Sequence, residues 1–385
     1  GNAIWFEDAA EKMGVDSMRW LYSRQNPSAN MNFGYSTADE VRRRFLIPLW
    51  NVYSFFITYA NIDEYSPGRK ASPVENRPEL DRWIISELND LIAGVTNALE
   101  NYVPDNAAHS IESFVEYLSN WYVRRSRRRF WKSDTDEDKL SAYATLYECL
   151  TTLIKLLAPF IPFVTEDMYQ NLVRSTKSQP ESVHLESWPK PDMRKIDTRL
   201  SEATRLSMRL SSLGRAARSK ASIKVRQPLQ QVKFKLRSKD ESELLTSIEG
   251  QIKDELNVKE ISILRDDIEV YEFNIHGNPA LLGPKYGAQV REVNAELSKA
   301  DPTEVYTAIE SNQAMLIGSF EIEPDEITLT KTAQPGYAVA EEGGYIAAIT
   351  TSISPELESE GSARDIVHII QNMRKAADLN IDNHI

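Results

Sequence analysis

The sequence predicts a multidomain chain, a mainly α-helical bundle followed by a smaller α+β domain. Three observations predict it. At 385 residues the chain exceeds what one hydrophobic core usually carries. From Ser36 to about Arg174 apolar residues recur at helical spacing. Beyond about Leu200, helical runs alternate with period-two runs such as Val232-Lys233-Phe234-Lys235-Leu236. The expected division is 1–35, a lead-in segment; 36–175, the bundle; 176–199, a linker; and 200–385, the α+β part.

In the first segment Phe6, Ala9, Ala10 and Met13 share a helical face that Gly14 ends, and Asp16 is placed to cap a second helix. A long helix is expected from about Ala38 to Tyr59, with Pro48 as a kink point. Leu80, Trp83, Ile84, Leu88, Leu91, Ile92 and Val95 form the apolar stripe of the next. A third starts near Pro104, buries Ile111, Phe114, Val115 and Leu118, and runs into a basic block; acidic residues from Ser133 to Asp138 break it. A fourth carries Leu146, Cys149, Leu150, Leu153 and Leu157. The apolar turn Ala158-Pro159-Phe160-Ile161-Pro162-Phe163 and a short helix complete a four- or five-helix up-and-down bundle.

In the second half, helices are expected at 200–217, 241–256, 286–299, 302–311 and 355–379. Strands are expected near 232–236, 258–264, 268–274, 314–322, 326–332, 336–341 and 345–350, forming one small sheet. Leu282-Gly283-Pro284-Lys285-Tyr286-Gly287 reads as a tight turn. Gly214 to Val225 resembles Gln371 to Asp382: a basic helix end, a small-residue turn, then an aliphatic-polar-aliphatic start. Duplication of a helix–strand unit would explain this echo, and so would chance.

The basic block Asn120-Trp121-Tyr122-Val123-Arg124-Arg125-Ser126-Arg127-Arg128-Arg129-Phe130-Trp131-Lys132 stands out because the chain has a formal net charge of −12. On a helix, Arg124, Arg127, Arg128 and Trp131 fall on one face. Arginine binds phosphate bidentately, and aromatic rings pack beneath it or stack on bases. A solvated charged face with its tryptophans turned into a core is the alternative that composition leaves open. Further basic clusters are Arg42 to Arg44, Arg215 to Arg226, and Arg374 with Lys375.

Other chemistry is absent from the sequence. The single cysteine, Cys149, excludes a disulfide framework and a cysteine-rich zinc site, and fits a reducing cytosol. The five histidines are scattered, with no pair at ligand spacing. Neither a phosphate-binding glycine loop nor a nucleophile–base constellation is present. No apolar run approaches the roughly 18–20 residues of a membrane span. A start at Gly1-Asn2 suggests a fragment of something longer. On these grounds the chain is a binding module rather than a catalytic one.

Several segments match a known family in order. The stretch from Lys12-Met13-Gly14-Val15-Asp16-Ser17-Met18-Arg19-Trp20 resembles the region just after the Lys-Met-Ser-Lys-Ser loop of class I aminoacyl-tRNA synthetases. Leu80-Asp81-Arg82-Trp83-Ile84, Ser119 to Arg127, and Leu157 to Glu166 resemble the anticodon-binding bundle of the isoleucyl, valyl and leucyl group. Ile223-Lys224-Val225-Arg226-Gln227-Pro228-Leu229, Asp254-Glu255-Leu256-Asn257-Val258-Lys259 and Ile370 to Leu379 are similar to isoleucyl-tRNA synthetases of the archaeal/eukaryotic-like type. The catalytic half, the editing domain and the Lys-Met-Ser-Lys-Ser loop itself are missing. Asn383-His384 stands where the family has Asp-Arg.

The resemblance implies a tRNA-binding, anticodon-stem-loop part of an isoleucine–tRNA ligase, monomeric and cytoplasmic, with no membrane partner. The whole enzyme would use ATP and Mg²⁺ and would hydrolyse mischarged valine. This chain would hold no catalytic residue, no metal and no cofactor of its own, and would be inactive alone. Residues 1–35 become the tail of the catalytic domain, and 200–385 a junction domain left incomplete at its end. The expected tRNA-binding residues are Trp121, Arg124, Arg125, Arg127, Arg128, Arg129, Trp131, Lys132, Arg218, Lys220, Lys224 and Arg226. About half of the block's arginines are expected to brace neighbouring helices instead. A valyl-type parent, or an interaction module without tRNA contact, are the competing readings.

Overall fold

The computed structural model describes residues 4–69, 71–131, 137–173, 179–377 and 379. The chain divides into two units, Gly1–Glu202 and Ala203–Ile385.

The first unit is helical. Its elements are α1 (Phe6–Met13), α2 (Val15–Ser23), α3 (Tyr35–Val41), α4 (Ile47–Ile62), α5 (Glu79–Glu100), α6 (Pro104–Glu116), α7 (Arg124–Trp131), α8 (Glu137–Leu157) and α9 (Pro162–Leu172). The helix expected across Pro48 exists, and Pro48 stands in the first turn of α4. Five residues, Arg42–Leu46, wind as a π-helix between α3 and α4. Proline lacks an N–H and its ring crowds the carbonyl four residues back, so the wider turn just before Pro48 absorbs the misfit. The combined helix Tyr35–Ile62 is long and apolar enough, by length and composition, to cross a membrane, which the sequence reading did not anticipate. In this unit it buries Phe45, Leu49, Val52 and Phe56 in the bundle core.

The lead-in segment is fastened to the bundle. Arg19 donates to the carbonyls of Phe160 and Pro159, each at 2.8 Å. Asp16 accepts from the amide of Val164 at 2.7 Å, in the first turn of α9, where orphan amides need an acceptor. Trp20 stacks on Phe45 with ring centroids 4.0 Å apart. The Ala158–Phe163 turn is therefore the receptor for α2. Within the linker, Val183–Leu185 is a 3₁₀ turn in which Ser182 accepts from the amide of His184.

The second unit is α+β. It contains α10 (Thr198–Lys220, which begins in the first unit), β1 (Leu229–Lys235), α11 (Lys239–Leu256), β2 (Val258–Ile263), β3 (Tyr271–Gly277), α12 (Pro279–Tyr286), α13 (Val290–Leu297), α14 (Pro302–Glu310), β4 (Met315–Ile317), β5 (Phe320–Ile322), β6 (Ile327–Ala333), β7 (Tyr337–Glu342), β8 (Tyr345–Thr350) and α15 (Pro355–Ala376). The expected single sheet is instead three. A four-stranded sheet has the order β2-β1-β8-β7, and β3-β6 and β4-β5 are separate two-stranded ribbons. β1 runs parallel to β2 through the α11 crossover and antiparallel to β8. Leu210, Leu213 and Ala217 of α10 share a core with Val232, Phe234, Ile252 and Leu256. The predicted turn at 282–287 is mostly helix: Asn278 caps α12 by accepting from Ala280, Pro279 starts it, and Gly287 at φ +53° ends it.

Candidate nucleic-acid interface

α6 and α7 form one rod joined by a π-wound stretch, Tyr117–Val123. α6 turns Ala107, Ala108, Ile111, Phe114 and Val115 into the core. Each π turn holds an extra residue, which rotates the following face around the rod. Tyr122 near its end, and Ser126 and Phe130 beyond it, are buried, and Arg124, Arg127, Arg128 and Trp131 are exposed. The four residues that the sequence placed on one stripe thus form the exposed face of α7.

The arginines of the block divide by what they touch. Arg129 points inward and forms a bidentate pair with Asp81, both N–O distances being 2.7 Å. Its Nη2 also donates to the Asp138 carbonyl at 3.0 Å and pairs with that carboxylate at 2.9 Å. Tyr122 donates its hydroxyl to the same Asp81 at 2.7 Å. Burial opposes the charge of Arg129, but Asp81, Tyr122 and Asp138 outweigh it and hold the guanidinium well above its usual range. Arg129, expected among the tRNA contacts, is therefore a brace: its fork is consumed by fully buried Asp81.

Trp121 is also corrected. It is 4% exposed, so no base can stack on it. Arg124 and Arg125 lie over its ring, 5.6 and 5.2 Å from the centroid. The ring is a platform for arginines, which limits their rotamers while their charged heads stay near solvent. Arg124 also donates to the Asn120 carbonyl at 2.8 Å. Arg127 and Arg128 are exposed and have no ion-pair partner among the described residues. Trp131 is 54% exposed and donates its indole N–H to the Tyr59 hydroxyl at 2.5 Å, which fixes the ring at the rim. Lys132 lies outside the described residues, as do Asn383 and His384. The basic run at Arg42 to Arg44 is engaged locally: Arg42 donates to the Met13 carbonyl and Arg44 pairs with Glu40.

The second predicted group lies in the other unit. Arg218 is fully buried. Its Nη1 donates to the carbonyls of Lys224 and Gln227, and its Nη2 to those of Leu256 and Asn257, at 2.6–3.1 Å. Burial lowers its pKa to about 10, which leaves it charged at neutral pH. Arg218 cannot reach a ligand; it ties the end of α10 to the loop before β1 and to the end of α11. Lys220 donates to the Val339 carbonyl at 3.0 Å, and Arg226 pairs with Asp365 at 2.7 Å. Lys224 is exposed and has no ion-pair partner among the described residues. Lys220 also lines an open cleft of about 770 Å³ with Tyr271, Lys331 and Tyr337.

Sequence reasoning missed the anchoring role of Asp81. In the first turn of α5 an acidic residue reads as an ordinary helix-dipole partner. Only its complete burial, 48 positions from its arginine, reveals the brace. The buried Asp267 was missed for the same reason. It accepts from Lys235 at 2.6 Å, Tyr306 at 2.8 Å and Lys331 at 3.2 Å, on residues scattered through the sequence. No group of three or more histidine, cysteine or acidic side chains among the described residues could hold a metal. Burial pushes the Cys149 thiol well above its usual range, so it is no nucleophile.

Residues 81–233 match the family described as the anticodon-binding domain of tRNA ligase. The isoleucine–tRNA ligase of Dehalococcoides mccartyi (strain CBDB1) is 44% identical over 386 residues, covering 100% of this chain and 32% of that protein. That of Thermus thermophilus is 39% identical over 392 residues, covering 100% of this chain and 37% of that protein. That of Clostridium tetani is 37% identical over 392 residues with the same coverage of both, 100% and 37%. Along its whole length the chain is similar to isoleucine–tRNA ligases. It spans about a third of the length of these curated relatives. The anticodon-binding match opens at Asp81, the carboxylate that Arg129 holds, and takes in the whole basic rod.

Proposed function

We propose that this chain docks the anticodon stem and loop of tRNA(Ile), and that the exposed face of α7 is one wall of the docking surface. The observation that carries the reading is the sorting of charge on one short helix. Arg129 is spent inside, while Arg124, Arg127 and Arg128 stand outside with Trp131 at the rim. A rigid row of guanidinium groups over a braced core suits phosphate, because the cations are held in place before the ligand arrives. Arg125 contributes through its place over Trp121, and Lys132 extends the row in sequence. In the second unit Lys224 is the leading candidate, with Lys220 and Arg226 able to exchange a carbonyl or carboxylate for a phosphate.

The whole protein, on this reading, joins isoleucine to tRNA(Ile) with ATP and Mg²⁺ in the cytoplasm as a monomer, and its own catalytic domain is this chain's partner. Editing of mischarged valine follows from physics: one methylene gives a hydrophobic pocket only about 10–200-fold discrimination. Filter binding with purified tRNAs tests the reading. Tighter binding of tRNA(Ile) than of tRNA(Val) and tRNA(Leu) supports it. Equal affinity for all three removes the isoleucine assignment, and no salt-sensitive binding to any removes the docking role.

A further inference from the structure

Several cations of the second unit lie over a tyrosine ring, and their partners sort them. Lys233 lies over Tyr337, Lys285 over Tyr286, and Lys331 over Tyr271 and Tyr306. Each of these lysines also pairs with a carboxylate: Lys233 with Glu269, Lys285 with Glu326 and Lys331 with Asp267. Arg209 and Arg237 differ. Both lie over the ring of Tyr345, 5.1 and 5.5 Å from its centroid, and neither has an ion-pair partner among the described residues. The chain has a formal net charge of −12, so carboxylates are plentiful. Two arginines left without one on a single ring call for an explanation.

The fold holds the pair in place. Leu206, Leu210 and Leu213 turn one face of α10 into the core, which leaves Arg209 on the outer face. Arg237 stands in the turn between β1 and α11, where Ser238 caps the helix by accepting from the Glu241 amide. Tyr345 opens β8 directly after Gly343 and Gly344, both at positive φ. A Cβ added to Gly344 would lie 3.6 Å from the Arg237 stem, so that stem rests on the turn. The Tyr345 ring is 4% exposed, whereas both arginines above it are exposed. The Glu241 carboxylate is occupied by other donors. One oxygen accepts from the Tyr345 hydroxyl at 2.5 Å, and the other from the Arg237 amide at 2.8 Å.

The same device stands in the first unit, where Arg124 and Arg125 lie over Trp121. A ring beneath a guanidinium limits its rotamers, so less freedom is lost when an anion takes its fork. We propose that Arg209 and Arg237, set on Tyr345, form a phosphate-binding point for the RNA backbone in the second unit. The proposal rests on the docking role given above and adds to it two residues outside the basic clusters of the sequence. Arg209 falls within residues 81–233, the stretch that matches the anticodon-binding family, and Arg237 stands just past its end. That match favours RNA over an acidic protein surface, whose carboxylates the same forks would also accept.

Filter binding of tRNA(Ile) to the 385-residue chain across a salt series tests the proposal. The variants are Arg209→Glu, Arg237→Glu and the milder Arg209→Gln, Arg237→Gln. Affinity at low salt should fall by at least about tenfold in the first pair. In both pairs the slope of log K against log salt should flatten by about one for each phosphate no longer neutralised. Should the glutamate pair fail to fold, the glutamine pair decides. A lower melting temperature with an unchanged slope assigns the arginines to packing on Tyr345 and overturns the proposal. Unchanged affinity and slope overturn it too, and leave the docking role of α7 standing. Polyglutamate that binds the unsubstituted chain but neither variant, with tRNA binding kept, gives the pair to an acidic protein instead. No salt-sensitive tRNA binding by the unsubstituted chain removes the docking role and this proposal together.

Discussion

Arg129 and Asp81 meet fork to fork at 2.7 Å on both sides, with the carboxylate wholly buried and the guanidinium nearly so. This pair fixes α7 to α5 and decides which arginines are left facing out. Breaking such a pair from one side strands the other charge in the core, at a cost of about 3–5 kcal/mol. Arg129→Ala and Asp81→Ala should each lower the urea midpoint of the first unit by a large and similar amount. The double variant should be less damaging than the sum, because no lone charge remains. Additive losses would mean that the two residues act separately.

Arg218 makes the parallel case in the second unit. Arg218→Met keeps the bulk but leaves the carbonyls of Lys224, Gln227, Leu256 and Asn257 without their donor. A loss of about 2 kcal/mol or more is expected. Lysine, a point charge, should restore only part of it. Denaturation of this unit checks the loss. Full stability in Arg218→Met would show that water serves those carbonyls equally well.

Asp267 gives the second unit a dependence on acid. Burial raises its pKa, but Lys235, Tyr306 and Lys331 outweigh burial and hold it below the usual carboxylate range. A carboxyl whose folded pKa is depressed adds stability that is complete above its unfolded pKa of about 3.9 and fades as pH falls through the folded value. Stability of this unit should therefore drop on acidification below about pH 4. In Asp267→Asn that part of the drop should vanish, at the cost of lower stability at neutral pH. Urea midpoints from pH 3 to 7 would show it, and an unchanged acid limb in the variant would contradict it.

The broad architecture was legible because it rests on local periodicity. The stripes of α5 and α8 and the alternation of β1 depend on burial of one face, which the sequence displays directly. The stripe Arg124, Arg127, Arg128, Trp131 was legible for the same reason. The pairing of strands was not: β1 lies between β2 and β8, and choosing β8 requires closing a long loop that no local pattern encodes. The roles of Arg129 and Arg218 were illegible for a related reason. An arginine in a basic run looks the same whether it faces phosphate or a carboxylate brought in from another helix. Trp121 was ambiguous until its burial showed it to be the floor beneath Arg124 and Arg125.

The central claim is that the outward arginines of α7 meet tRNA phosphates while the inward one holds the helix. It is tested most directly by the salt dependence of tRNA(Ile) binding to Arg127→Glu, Arg128→Glu beside the unsubstituted chain. Both residues are exposed, so the melting temperature should barely change. Affinity should fall by at least about tenfold at low salt, and the slope of log K against log salt should flatten by about one for each phosphate no longer neutralised. An unchanged affinity and slope, with the fold intact, would contradict the account.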